Sequence, residues 1–145
     1  MTLENLIGKS LEEITPDASA IKRLLEAAQR NISDAKITGL SNENKFDMAY
    51  KAIMQLSNAA LQATGYRTLT SKPGHHQTMI QSLPKTVGIN IDQMIILDSL
   101  RKQRNVADYS GDLVTNTTME ECLNQAEALL KEVTSWLNSE HPELT

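Results

Sequence analysis

Cysteine occurs once in this sequence, at Cys122, so no disulfide can close within the chain. None is needed, because 145 residues can withdraw roughly two-thirds of their unfolded surface from water, and a core alone then holds one domain. Aromatics are almost as scarce. Phe46, Trp136, Tyr50, Tyr66 and Tyr109 are all of them, whereas sheets are enriched in aromatic and β-branched residues, so the composition favours helices. No apolar run is long enough to cross a bilayer, and no basic segment near the start leads into an apolar stretch with a small-residue cleavage site. The expectation is a cytoplasmic protein that does not enter a membrane. With 40% hydrophobic and 22% charged residues, disorder is excluded as well.

Motifs of the common cofactor enzymes are missing too. The chain has no P-loop, no GxGxxG and no GxSxG elbow, and Cys122 falls on an apolar helix face where a thiol is usually inert. There is no HExxH and no carboxylate pair beside a histidine, so neither a metal nor a cofactor is expected. A helix pair before Arg101 imitates a helix-turn-helix, but an acidic chain with so short a basic segment is a poor reader of DNA sequence.

Basic charge is in short supply overall, with a net charge of −4, and it is unevenly spread. Residues 65–105 hold Arg67, Lys72, Lys85, Arg101, Lys102 and Arg104 against only Asp92 and Asp98, a local excess of positive charge in an acidic chain. A phosphate responds to the local field, so this middle is a candidate anion site; ordinary scatter of surface charge is the competing reading.

What is present is helical periodicity. No internal repeat or low-complexity tract divides the chain, which reads as a single domain over 1–145. Leu3, Leu6, Ile7, Leu11 and Ile14 suggest a short amphipathic helix. Thr15-Pro-Asp then predicts the start of a long helix, capped by the threonine hydroxyl, carrying Ile21, Leu24, Leu25, Ala28, Ile32 and Ala35 and ending near Gly39. A second follows Ser41, with Phe46, Ala49, Tyr50, Ile53, Leu56, Ala60 and Ala63 as its core stripe and Gly65 at its C-terminal cap. Arg67 to Gly74 reads as a loop, His75 to Val87 as a short helix despite Pro84, and Ile91 to Asn105 as a fourth. The last helix is predicted from a capping box at Thr118-Met-Glu-Glu121 to about Leu137, leaving 138–145 as a frayed tail. The fold class expected is an all-α bundle of four to five helices.

Two clusters stand out from this frame. Met94, Ile95, Ile96 and Leu97 are consecutive and point all around the helix axis, which predicts enclosure by other helices or by a second subunit in a homodimer. Just beyond, Arg101, Arg104, Asn105 and Asp108 share one face if the helix continues. Arginine forks match a phosphate bidentately, Asn105 would add a hydrogen bond and Lys102 adds to the field. The competing reading pairs Asp98 with Arg101 and Arg104 with Asp108 on a solvated face. The second cluster, His75-His76 after Pro73-Gly74, has residues suited to proton transfer, but neighbours on a helix diverge, so the pair reads as polar lining or a cap.

At Arg104-Asn105-Val-Ala-Asp-Tyr109, taken with Gly65-Tyr66-Arg67, Gly74-His75-His76 and Ile80-Gln-Ser-Leu83, the sequence resembles the HEPN superfamily over about Glu43 to Leu137. The resemblance implies a helical bundle that dimerises with the motif helices of two subunits side by side, making a composite cleft. Many such proteins are metal-independent endoribonucleases of toxin–antitoxin and phage-defence systems, with an arginine, a polar residue directly after it and a histidine several residues on.

Arg104 and Asn105 match the first two positions, whereas Tyr109 stands where the histidine belongs. A tyrosine with a pKa of about 10 is a poor base at neutral pH. The reading favoured by this departure is a module that binds RNA, a nucleotide or a partner nucleotidyltransferase, with a cognate antitoxin as another partner. The alternative is an endoribonuclease in which His75 or His76 moves the proton, and a structural bundle without a ligand is a third.

Overall fold

Pro16 decides where the first long helix begins, and it does so one step later than the sequence suggests. The computed structural model describes residues 2–71, 73–111 and 113–145, so Lys72 of the basic middle lies outside the described residues. Helix α1 spans Ala18–Ala35. Its cap is Asp17 rather than Thr15: the carboxylate accepts hydrogen bonds from the amides of Ser19 and Ala20 at 2.9 and 3.4 Å. A proline biases the residue before it away from helical geometry, which leaves Thr15 outside and hands the free amides to the next acceptor.

The expected N-terminal helix is not formed. Its residues make a 3-10 turn at Glu4–Leu6 and strand β1, Leu11–Glu13. The segment expected as a loop supplies the partner, strand β2 at Tyr66–Thr68, antiparallel with Leu11 opposite Thr68, Glu12 opposite Arg67 and Glu13 opposite Tyr66. Glu12 and Arg67 form an ion pair across the ribbon. Leu11, fully buried, packs with Leu3 and Leu61 in a small cluster of its own. The apolar residues of the first segment therefore mark separate contacts under a ribbon instead of one helical stripe.

The rest is all-α. Helix α2 spans Asn42–Ala63, capped by the Ser41 hydroxyl on the Asn44 amide at 3.1 Å. It ends at Thr64, and Gly65 takes the left-handed conformation at φ 100° that turns the chain into β2. Helix α3 is His75–Ser82, shorter than expected because Pro84 follows. Helix α4 runs Ile91–Ser110, past Asn105, since nothing breaks it before Gly111 at φ 73°. Helix α5 spans Asn116–Glu140. Its cap is Thr115, three residues ahead of the expected box; Thr118 instead donates its amide to the Thr115 hydroxyl at 3.1 Å. The segment expected to fray carries α5 on to Glu140 and ends in a 3-10 turn at Pro142–Leu144, where Leu144 packs against the main core and the His141 ring meets Trp136 edge-on with centroids 4.8 Å apart.

The bundle is centred on α2, which packs most extensively against α1 and next against α5. Ala49, Ala52, Ala59 and Ala60 are fully buried on it, and small side chains let both neighbours approach while Phe46, Tyr50, Ile53 and Leu56 fill the space between them. Cys122 is buried in the same core beside the Phe46 carbonyl, and burial pushes its thiol up to about 12, as expected of an inert cysteine. Helix α4 is held differently. Leu97 and Leu100 are buried and Met94 and Ile96 pack on the core, but Ile95 is 55% exposed, so the Met94 to Leu97 run is enclosed on one side only. Ile91, Ile95, Val106 and Tyr109 extend this into an exposed stripe along the helix.

Candidate functional site

One face of α2 breaks the apolar pattern. Asp47, Lys51, Gln55 and Asn58 recur at spacings of four, four and three, which lines them up along the helix beside the core stripe. Helices α3 and α4 pack near this face and enclose a cleft of about 440 Å³ whose lining includes Asp47, Tyr50, His76 and Arg104. That is within the size range of small-molecule sites.

At its centre is a cation over a ring. The Arg104 guanidinium stands 5.0 Å from the centroid of Tyr50, an attraction worth about 1 kcal/mol at a site partly shielded from water. Two carboxylates also approach it, Asp47 at 3.9 Å and Asp108 at 3.8 Å, but both exceed hydrogen-bond length. The Arg104 Nε is buried and has no hydrogen-bond partner. A buried donor left unpaired costs about 1–3 kcal/mol, so the guanidinium is held in place with bonding capacity unspent. Asp47 is a weak competitor for it: burial raises its pKa more than Arg104 lowers it, with Asp108 adding to the rise.

Tyr50 links this cation to a histidine. Its hydroxyl lies 3.3 Å from Nδ1 of His76, and its own pKa is pushed up to about 12, chiefly by burial, so it stays protonated. Burial lowers the pKa of His76, and the neighbouring His75, Arg104 and Arg101 lower it further. The imidazole is therefore neutral at pH 7. If Nδ1 carries the hydrogen and donates to Tyr50, Nε2 is left as a base; the other tautomer makes Nε2 a donor.

Of the residues singled out from the sequence, the fold brings Arg104 and His76 into one cleft, and His75 lies beside them with its ring 4.7 Å from that of His76. Arg101 is close enough to affect Tyr50 and His76 but is tied to Asp98 at 2.8 Å, which is the pairing foreseen as the competing reading. Lys102 reaches the same Asp98 at 3.6 Å from the solvent side and lines a different groove, with Val106 and Thr118. Asn105 does not converge with the arginines. One residue further along the helix is about 100° further around its axis, so Asn105 lines a shallow patch with Val106, Tyr109 and Ser110 instead. Tyr109 is 92% exposed there and does not reach the Arg104 cleft.

Sequence reasoning missed Tyr50 and Asp47. Tyr50 was counted as a core residue, which it is, being 2% exposed; its hydroxyl end meets His76 at the cleft. The regular polar positions from Asp47 to Asn58 on an otherwise apolar helix were the available signal.

A family model described as the HEPN domain matches residues 21–136, from within α1 to near the end of α5. A search of curated proteins finds no match. Among the described residues no helix is long and apolar enough to cross a membrane.

The depressed His76 pKa has a consequence for stability. The unfolded side chain takes up a proton near its ordinary value of 6.5 and the folded one only at lower pH. Between those values the unfolded state binds more protons, so this group's contribution to stability falls as pH drops through that window and levels off below the folded value. His76→Gln is expected to lose less stability than wild type between about pH 7.5 and pH 5.5 in urea unfolding. Equal losses in the two proteins would mean that His76 titrates as it does in the unfolded chain.

Proposed function

This chain belongs to the HEPN domain family, and from that premise we propose that it is a binding module whose Arg104 cleft takes a phosphate of RNA or of a nucleotide. The observation that carries this reading is the Arg104 guanidinium, anchored on Tyr50 with a buried Nε that lacks a hydrogen-bond partner. An anionic oxygen would satisfy that donor and displace the more weakly placed Asp47 and Asp108. A toxin–antitoxin or phage-defence setting, with a cognate antitoxin or nucleotidyltransferase as partner, belongs to this proposal through the family resemblance. An adjacent gene for such a partner would support it.

One observation favours a second reading, that of a metal-independent endoribonuclease. His76 comes from α3 into the cleft of Arg104, so a proton-transfer group is at hand although Tyr109 replaces the expected histidine. In that reading Arg104 stabilises the crowded phosphate, His76 takes the 2′-hydroxyl proton, and the freed oxygen attacks phosphorus as the P–O5′ bond breaks and the 5′-oxygen takes a proton from water, giving a 2′,3′-cyclic phosphate.

The exposed stripe of Ile91, Ile95, Val106 and Tyr109 supports a two-fold dimer through α4. Asn105 lines part of the same surface and would lie at the interface, so a composite site would draw on it from there.

Arg104→Ala is expected to weaken binding of a short single-stranded RNA by about tenfold or more, and Arg30→Ala, on exposed α1 surface, to leave it nearly unchanged. Affinity should fall with added salt as counterions are released. Equal effects of the two substitutions would assign Arg104 to structure.

If wild type cleaves RNA, replacing His75 and His76 together should reduce the rate by about 10²–10⁴-fold with RNA affinity nearly unchanged. Binding without cleavage across a mixed RNA pool would leave the binding module as the function.

Ile95→Lys is expected to convert a dimer to a monomer in sedimentation at micromolar concentration, with the helical circular dichroism unchanged. Ile96 is a poorer probe because it also packs on the core. A monomeric wild type would rule out the α4 interface.

A further inference from the structure

Beyond Arg104 the wall of the cleft carries Gln55, Asn58 and Lys51. Gln55 Oε1 accepts a hydrogen bond from Asn31 Nδ2 at 2.9 Å, and Asn58 Oδ1 accepts one from Gln62 Nε2 at 3.1 Å. Both amides are thus oriented by partners outside the cleft, with their oxygens engaged and their NH₂ groups left to donate. Lys51, on the same face, is a third donor. Beneath them Met54 and Met79 are 7% and 8% exposed and form an apolar floor, and thioethers make favourable contacts with flat π systems. An apolar floor, a row of donors and an arginine at one end match a nucleotide better than a bare phosphate: the floor suits a ring, the donors its edge and Arg104 its phosphate.

We propose that this cleft reads the base of its ligand and selects guanine over adenine, through Gln55 and Asn58 on α2. The inference rests on the Arg104 phosphate reading and adds a base to it. Guanine presents two neighbouring acceptors, N7 and O6, on one edge, and both can take hydrogen bonds from the amides. Adenine has an amino group where guanine has O6, so a donor would face a donor and a desolvated NH₂ would go unpaired. The oriented amides make the discrimination, because each would have to break its bond to Asn31 or Gln62 to turn an oxygen towards adenine.

The test uses the full chain and two fluorescent RNAs, UUGUU and UUAUU, with GMP and AMP as unlabelled competitors. The guanine RNA is expected to bind about tenfold more tightly, in keeping with what a good two-point base contact contributes. The double substitution Gln55→Glu with Asn58→Asp keeps an acceptor for Asn31 and for Gln62, so the fold is retained while the cleft gains acceptors. It should weaken binding of both RNAs through its added negative charge, yet reverse their ratio in favour of adenine. Competition by GMP and not by AMP would show that a free nucleotide is enough; discrimination seen only between the RNAs would assign the base to a chain. Equal affinity for the two RNAs, with both still weakened by Arg104→Ala, overturns the base reading and leaves the phosphate cleft standing. Binding that does not respond to Arg104→Ala overturns both.

Discussion

Burial of α2 between α1 and α5 is the constraint on which the rest depends. The alanines at 49, 52, 59 and 60 contribute no bulk of their own, yet they set how closely the flanking helices approach and so how much of Phe46, Tyr50, Ile53 and Leu56 is removed from water. Fully burying side chains of that size contributes about 1.5–3 kcal/mol each, well above the roughly 0–1 kcal/mol typical of a surface ion pair. Because α2 is fixed so firmly, the polar edge it turns towards α3 and α4 is also fixed. Asp47, Gln55 and Asn58 are placed by the packing on the other side of their own helix.

That coupling explains Tyr50. Its ring belongs to the core, stacked nearly parallel to Phe46 with centroids 6.5 Å apart, and its hydroxyl belongs to the cleft. A ring so held is a rigid surface for the Arg104 guanidinium, and packing leaves it little side-chain freedom. The carboxylates near Arg104 are placed less tightly: Asp47 and Asp108 are each about half exposed, and pairs of that kind contribute about 0–1 kcal/mol. The contact to the ring therefore positions the arginine, while the carboxylates moderate its charge.

Helix α4 is the element with two allegiances. Leu97 and Leu100 tie it to the bundle, Arg104 turns inward to the cleft, and Ile91, Ile95, Val106 and Tyr109 are exposed along it. This is why Arg104 and Asn105, adjacent in sequence, serve different surfaces. A motif written along a helix distributes its residues around it by about 100° per step, and only the neighbours of the helix decide which of them meet.

The five α-helices, their order and most core positions were legible from the sequence, because three-and-four spacing of apolar residues is the condition for a helix to bury one face, and α1, α2 and α5 satisfy it over several turns. The family resemblance was legible at Arg104-Asn105 and the histidine pair. The ribbon of Leu11–Glu13 with Tyr66–Thr68 was not, since two three-residue strands more than fifty positions apart carry too little pattern to separate them from a helix turn and a loop. The caps at Asp17 and Thr115 were missed for a related reason: several acceptors lay within reach of each helix start, and the geometry of the incoming chain chose among them. The site divides in the same way. Local spacing offered the pairing of Arg101 with Asp98 as one of two readings, but that Arg104 lies over Tyr50, that Tyr50 meets His76, and that Asn105 faces elsewhere depended on how three helices cross, and contacts between distant segments follow from packing rather than from any interval in the chain.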